Sequence, residues 1–300
     1  MNESNDDNKL RPQFGTRFLT NENDVFKHNA WDNVQWDEEQ EKLALEKVEA
    51  NSQKKFSEDE KELLERNADK HWDSFYCIHQ NRFFKDRHWL FTEFPELDVD
   101  NNLQEGDTIK IFEIGCGVGN TIFPILQNTS KKNIYLYGCD FSKTAINVFK
   151  EHSLYDENRC FGFECDVTLD EWNTPFEINS IDIVILIFVL SAISPKKFEH
   201  VVKKIKTYLK PGGKILFRDY GRYDMAQLRF KSGRCIDDNF YARGDGTMVY
   251  FFTQEIKSLF EKEGFIEEQN LVDRRLQVNR DKMLKMYRVW IQAKYRKPYL

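Results

Sequence analysis

Hydrophobic positions follow two different rhythms along this 300-residue chain. From Ser57 onward, Leu64, Ala68, Trp72, Phe75, Tyr76 and His79 recur at spacings of three and four, the period of one helix face. Ser57-Glu58-Asp59-Glu60 opens that segment as a capping box, with Ser57 placed to cap and Glu60 to reach back. From residue 108 the rhythm changes to short apolar runs alternating with helical stretches. Ile109–Ile114, Ile134–Cys139 and Cys160–Cys165 read as strands, with helices over Asn120–Gln127 and Lys143–His152 between them. Ile181–Phe188 is apolar without alternation, as expected of a central strand covered on both faces. Pro195–Tyr208 reads as a helix, Pro211-Gly212-Gly213 as a turn and Lys214–Asp219 as a fifth strand. A helix over Gln254–Glu263 ends at Gly264, and Phe265–Leu271 with Met283–Tyr295 suits a final antiparallel hairpin.

These patterns divide the chain into a polar N-terminal extension (1–56), a helix with an aromatic and basic linker (57–107), and an α/β domain (108–300) with an insertion at 220–250. The formal charge is −6, which taken whole argues against a nucleic-acid partner, and no DNA partner is expected. The average hides a gradient: residues 1–70 hold 11 basic and 18 acidic side chains, whereas residues 270–300 hold 9 and 2. The acidity therefore sits in the extension and the basic surplus after the fifth strand. The six cysteines (77, 116, 139, 160, 165 and 235) form no C-x-x-C pair, so reduced buried thiols in a reducing compartment are expected, and no metal site. The most apolar run, Ile183–Ile193, is eleven residues, well short of a bilayer span. Met1–Asp7 carries neither a signal nor a transit pattern, which points to the cytoplasm and away from membranes.

The first strand runs into Glu113-Ile114-Gly115-Cys116-Gly117-Val118-Gly119-Asn120. Glycines there let the backbone turn sharply and approach a ligand closely, and the following helix start favours polar groups. The second strand ends in Asp140, placed to accept bonds from two ribose hydroxyls, and the third in Cys165-Asp166-Val167, near where an adenine would lie. A nicotinamide dinucleotide requires G-x-G-x-x-G, whereas this chain has G-x-G-x-G with an acid before it and another after the third strand. That set favours S-adenosyl-L-methionine, which has no pyrophosphate for carboxylates to repel. The terminal hairpin agrees, since methyltransferases of this class add an antiparallel seventh strand. A Rossmann-like seven-stranded class I methyltransferase fold is the expectation.

Four longer runs, Asp24–Asp32, Phe83–Trp89, Phe217–Gln227 and Asn270–Arg280, resemble the tRNA N3-methylcytidine methyltransferases, a likeness that spans Phe14 to Pro298. The Asp24–Asp32 run is similar to the subgroup acting on threonine, and in some organisms arginine, tRNAs. The resemblance implies cytosine 32 of the anticodon loop as substrate. It also implies a possible helper protein such as an aminoacyl-tRNA synthetase. It places cofactor contacts on Trp72, Tyr76, Gly115, Asp140, Asp166, Val167 and Ile187, beside Gly117 of the glycine loop, which makes the helix of Trp72 and Tyr76, core residues by spacing alone, an N-terminal lid across the cofactor. Arg87 is open between the methionine carboxylate and a surface or RNA contact. A small-molecule or protein methyltransferase, or a silent RNA-binding partner of another enzyme, are the competing readings.

Methylation at cytosine N3 mainly needs positioning, with the base out of its stack. A carboxylate near the exocyclic amine would stabilise the charge that develops. Asp219, at the carboxyl end of the fifth strand, is the candidate catalytic residue, with capping of the following loop as its alternative. For RNA, Arg218, Arg222, Arg229, Lys231, Arg234, Arg243, Arg274, Arg275 and Arg280 supply charge. Tyr220, Tyr223, Phe240 and Tyr241 are available to stack on splayed bases.

Overall fold

The parallel strands form because their residues bury on both faces. In β5 (Ile181–Ile187), Ile181, Val184 and Leu186 enter one hydrophobic cluster and Ile183, Ile185 and Ile187 the other. Each such side chain contributes about 1.5–3 kcal/mol by leaving water. A computed structural model describes residues 17–98, 108–129 and 133–299. Met1–Asp7, Phe14 and residues 99–107 of the linker lie outside them.

Among the described residues one mixed sheet has eight strands, in the order β1-β10-β11-β6-β5-β2-β3-β4. They are β1 (Ala30–Trp31), β2 (Ile109–Ile114), β3 (Ile134–Asp140), β4 (Cys160–Glu164), β5, β6 (Leu209–Tyr220), β10 (Ile266–Asn279) and β11 (Leu284–Arg296). Strands β4, β3, β2, β5 and β6 run parallel, and β11 inserts antiparallel between β6 and β10. This is the seven-strand arrangement expected from the sequence, with one further strand at its edge. That strand comes from the extension: Ala30 pairs with Gln277 and Trp31 with Leu276. Trp31 is held there by its indole N–H, which donates to the Val25 carbonyl at 2.8 Å, and by packing with Val25, Leu276 and Val278.

The extension continues as α1 (Glu38–Ser52), capped by Asp37, which lies against α8 (Met225–Leu228) and β7 (Cys235–Asp237). The predicted capping box is present at Ser57, but the single helix foreseen beyond it is two. They are α2 (Glu58–Arg66) and α3 (Ala68–His79), broken at Asn67. The Asn67 backbone N–H and side-chain amide both donate to the Leu63 carbonyl, so the residue caps α2 instead of continuing it. The linker folds as α4 (Leu90–Glu93) under the sheet. Helices α5 (Ile122–Asn128) and α6 (Lys143–Lys150) cover one face, and α7 (Phe198–Tyr208) and α9 (Ile256–Lys262) the other.

The insertion is a three-stranded antiparallel sheet of β7, β8 (Phe240–Ala242) and β9 (Met248–Tyr250). It packs on the lid helices through Ile236, Phe240, Ala242 and Met248 against Phe56, Leu64 and Ala68. Phe240 and Tyr241, expected as base stackers, are fully buried in this small core and cannot stack on RNA. Phe56, Leu64 and Ala68, which help bury Phe240, stand more than 170 positions earlier, so the sequence around the insertion gives no sign of that burial.

Candidate active site

The parallel strands open their carboxyl ends onto a cleft of about 710 Å³, roofed by α3 and by the β8–β9 turn. At its floor, Gly115 and Gly117 have φ of +64° and +52°. Neither position accepts a side chain: a Cβ on Gly115 would lie 2.3 Å from Val189 Cγ2, and one on Gly117 2.4 Å from the Tyr76 hydroxyl. Tyr76 and Trp72 of the lid therefore close directly over the glycine loop, with ring centroids 6.1 Å apart.

Carboxylates project from the ends of successive strands. Asp140 accepts the Gly117 N–H at 3.0 Å and the Ser142 N–H at 2.9 Å, one on each oxygen. Burial pushes its pKa up to about 6 against the pull of these backbone bonds. Glu113 is buried deeper, and burial pushes it up to about 7 although Arg87 stands opposite at 3.3 Å. Its second oxygen has no hydrogen-bond partner among the described residues. Asp166 lines the cleft after β4 and accepts the Thr168 N–H and hydroxyl on one oxygen, at 2.8 and 2.7 Å. Val167 and Ile187 form an apolar wall between these groups.

Arg87 sits at the cleft wall, where Nη1 donates to Thr121 Oγ1 at 2.8 Å as well as to Glu113. That places it inward rather than on the outer surface. Two polar contacts that sequence reading missed hold the lid in place. Asp73 of α3 accepts the Ser142 hydroxyl at 2.8 Å and the Thr144 N–H at 2.9 Å, tying the lid to the start of α6. Ser194 donates to Glu65 of α2 at 2.7 Å. Ser142 two residues past a strand end was a visible capping signal; its partner Asp73 was not, being 69 residues away.

Asp219 does not reach the cleft. It is 0% exposed, and its oxygens accept the Ser191 N–H at 2.9 Å and the Tyr220 N–H at 2.8 Å. Burial raises its pKa to about 6. The side chain fixes the loop after β5 against the end of β6 and is not, as expected from the sequence, a group facing the cleft.

The basic candidates separate in the same way. Arg218 is 3% exposed, bound to Asp273 at 2.6 Å and to Gln292 and stacked between Trp89 and Trp290, so it is not an RNA contact. Arg275 is engaged by Glu93 at 2.7 Å, Asp273 at 3.2 Å and Asp32 at 3.8 Å. Arg274 pairs with Glu41 at 3.3 Å over the Trp36 ring. Arg280, Arg229, Lys231 and Arg234 are exposed, and Arg222 lies on the Tyr223 ring. Tyr220 and Arg243 border the cleft itself.

S-adenosylmethionine fits these residues. The glycine loop, where no Cβ fits, suits close approach of a cofactor, Asp140 and Asp166 suit hydroxyl and amine donors, and Val167, Ile187 and Trp72 suit a purine, while Glu113, 1% exposed, holds Arg87 from outside the cleft lining. A methyltransferase domain family matches residues 112–215. Over 288 residues the chain is 58% identical to the tRNA N(3)-methylcytidine methyltransferase Mettl2 of Drosophila melanogaster, covering 95% of this chain and 88% of that one. The chain belongs to the tRNA N3-cytidine methyltransferases. It is also 52% identical to the tRNA N(3)-cytidine methyltransferase METTL2 of Xenopus tropicalis, over 96% and 95% of the two chains. Against the tRNA(Thr) (cytosine(32)-N(3))-methyltransferase of Saccharomyces cerevisiae it is 43% identical, over 95% of this chain and 46% of that protein. Among solved structures, a Pyrococcus horikoshii protein shares the fold at a TM-score of 0.53 and 17% identity, over 75% and 98% of the chains. A Burkholderia thailandensis 1,6-didemethyltoxoflavin-N1-methyltransferase with bound S-adenosylhomocysteine matches at 0.50 and 14%, over 81% and 91%. No helix of the described residues is long and apolar enough to cross a membrane.

Proposed function

We propose that this family member transfers a methyl group from S-adenosylmethionine to N3 of cytidine at position 32 of the tRNA anticodon loop, in threonine tRNAs. The observation that carries the reading is the cleft itself, in a chain so similar over its whole length to enzymes of that name. A glycine loop and two strand-end aspartates stand together under an aromatic lid, with Arg87 at the wall. When bound, the cofactor supplies an electrophilic methyl group on a sulfonium.

The protein's own work is positional. Tyr76 and Trp72 shut water out above the glycine loop, while Asp140 is held by two backbone N–H groups so that its remaining lone pairs point to fixed places. Asp219 keeps the Ser191 segment in register with Tyr220 at the acceptor end. The cytosine N3 lone pair is neutral and lies in the ring plane, so attack needs alignment and no prior deprotonation. Purified protein incubated with labelled cofactor and total tRNA, followed by nucleoside analysis, is expected to give 3-methylcytidine. Mapping should place it at position 32 of threonine tRNAs, and label in another nucleoside or in protein would refute the proposal.

A further inference from the structure

Past the glycine loop the cleft is bounded by segments far apart in the chain. Phe188, directly after β5, has φ of +58°, a conformation a bulky residue holds only when its surroundings force it. Its N–H donates to the Arg218 carbonyl at 2.9 Å, so the backbone is pinned as it turns. The Phe188 ring lies 5.1 Å from that of Tyr220 with the planes 49° apart, so the two rings touch and form one tilted aromatic wall.

On the far side of Tyr220 comes the β8–β9 turn. The Arg243 guanidinium is 5.8 Å from the Tyr220 centroid and donates to Thr247 Oγ1 at 3.3 Å and the Met248 carbonyl at 3.1 Å. Thr247 in turn donates its N–H and hydroxyl to one Asp245 oxygen, at 3.0 and 2.7 Å. The lid backs this turn: a Cβ on Gly246 would lie 2.5 Å from the His71 ring. Phe188, Tyr220, Arg243 and Asp245 all border the same cleft as the glycine loop.

We propose that the acceptor pyrimidine lies against this aromatic wall, with the Arg243–Thr247 turn at its edge, and that the Asp245 carboxylate distinguishes cytosine from uracil. The inference rests on the reading above that the acceptor is a cytosine in RNA. Cytosine carries an acceptor, O2, and a donor, the N4 amine, on either side of N3. A guanidinium matches the first and the second oxygen of Asp245 matches the other. Uracil puts an acceptor where the amine stood and a proton on N3, so the carboxylate faces an unpaired acceptor and rejects it. As the N3–carbon bond forms, the carbon–sulfur bond breaks and sulfur keeps its electron pair. The ring takes the positive charge that leaves sulfur, and this strengthens the bond from its N4 amine to the carboxylate as the charge develops.

The test uses the full chain, S-adenosylmethionine, and threonine tRNA bearing either cytidine or the 2-pyrimidinone ribonucleoside, which lacks the amine, at the target position. Asp245→Asn is expected to lower kcat/KM on cytidine by about 10- to 150-fold, the worth of one charge-assisted hydrogen bond. On 2-pyrimidinone, wild type and variant should turn over alike. Cofactor affinity, tRNA affinity and melting temperature should match wild type. Arg243→Lys, which keeps the charge but loses the fork, should lower kcat/KM on both bases alike. If Asp245→Asn leaves the cytidine-to-pyrimidinone ratio unchanged while the wild type methylates cytidine, the Asp245 assignment is overturned alone. If the wild type leaves RNA unmodified, the functional reading fails first.

Discussion

Arg218→Ala separates a structural arginine from an RNA contact. Arg218 and Arg275 face Asp273 and Glu93 in a pocket walled by Trp89 and Trp290. Burial and the Arg275 charge weaken the hold of Arg218 on its proton, and Asp273 and Glu93 offset them. Removing the guanidinium leaves two buried carboxylates against one cation, and breaking a buried pair this way costs about 3–5 kcal/mol. A chain of this length unfolds with an entropy of about 0.6 kcal/mol per degree, so the melting temperature should fall by about 5–8 °C. Arg218→Met with Asp273→Leu removes both charges, leaves the Arg275–Glu93 pair intact, and should recover much of the loss. Calorimetric melts of the three proteins, with tRNA affinity measured well below each transition, make the comparison. The burial argument is refuted if Arg218→Ala melts within a degree of wild type while losing tRNA affinity.

Three further outcomes follow from the same geometry. Gly117→Ala puts a methyl group 2.4 Å from the Tyr76 hydroxyl at a left-handed φ, so cofactor affinity measured by titration calorimetry should fall at least tenfold, and unaltered affinity would mean the lid does not close there. Asp219→Asn turns an amide donor toward the Ser191 or Tyr220 N–H and should cost about 1–3 kcal/mol in denaturant melts, with cofactor affinity kept; full stability with lost turnover would return Asp219 to the reacting groups. Burial raises the carboxyl groups of Glu113 to about 7 and of Asp140 and Asp219 to about 6, so the folded chain binds these protons more tightly than the unfolded one. Their contribution is therefore greatest below the unfolded values and declines as pH rises through 6 and 7. Urea midpoints between about pH 5 and pH 8 should fall, Glu113→Gln should flatten the upper part of that slope, and an unchanged slope in the variant would contradict the assignment.

The sheet was legible because burial on both faces leaves continuous apolar runs such as Ile181–Ile187, and the cofactor end because glycines and strand-end carboxylates sit at fixed local spacings. What stayed hidden depends on pairing across the chain. Arg218 ends an apolar run in β6 and, as a charged side chain, reads as exposed until β11 and the linker bring Gln292, Trp290 and Trp89 over it. Asp219 was legible as a carboxylate at the right strand end, but not as one whose oxygens are both taken by N–H groups, one of them 28 residues away. Trp31 in an acidic segment gave no sign of pairing with β10, 245 residues on, because two residues of strand are too short for a period. The net charge of −6 misled for a related reason: it sums an acidic extension with a basic hairpin that the fold lays side by side.

The most direct test of the account is transfer of label from S-adenosylmethionine by the purified chain to two threonine tRNAs that differ only in cytidine or uridine at position 32. The account predicts 3-methylcytidine from the first, at that position, and no label in the second. Equal labelling of both, or a protein that binds the cofactor and leaves both tRNAs unmodified, would contradict it.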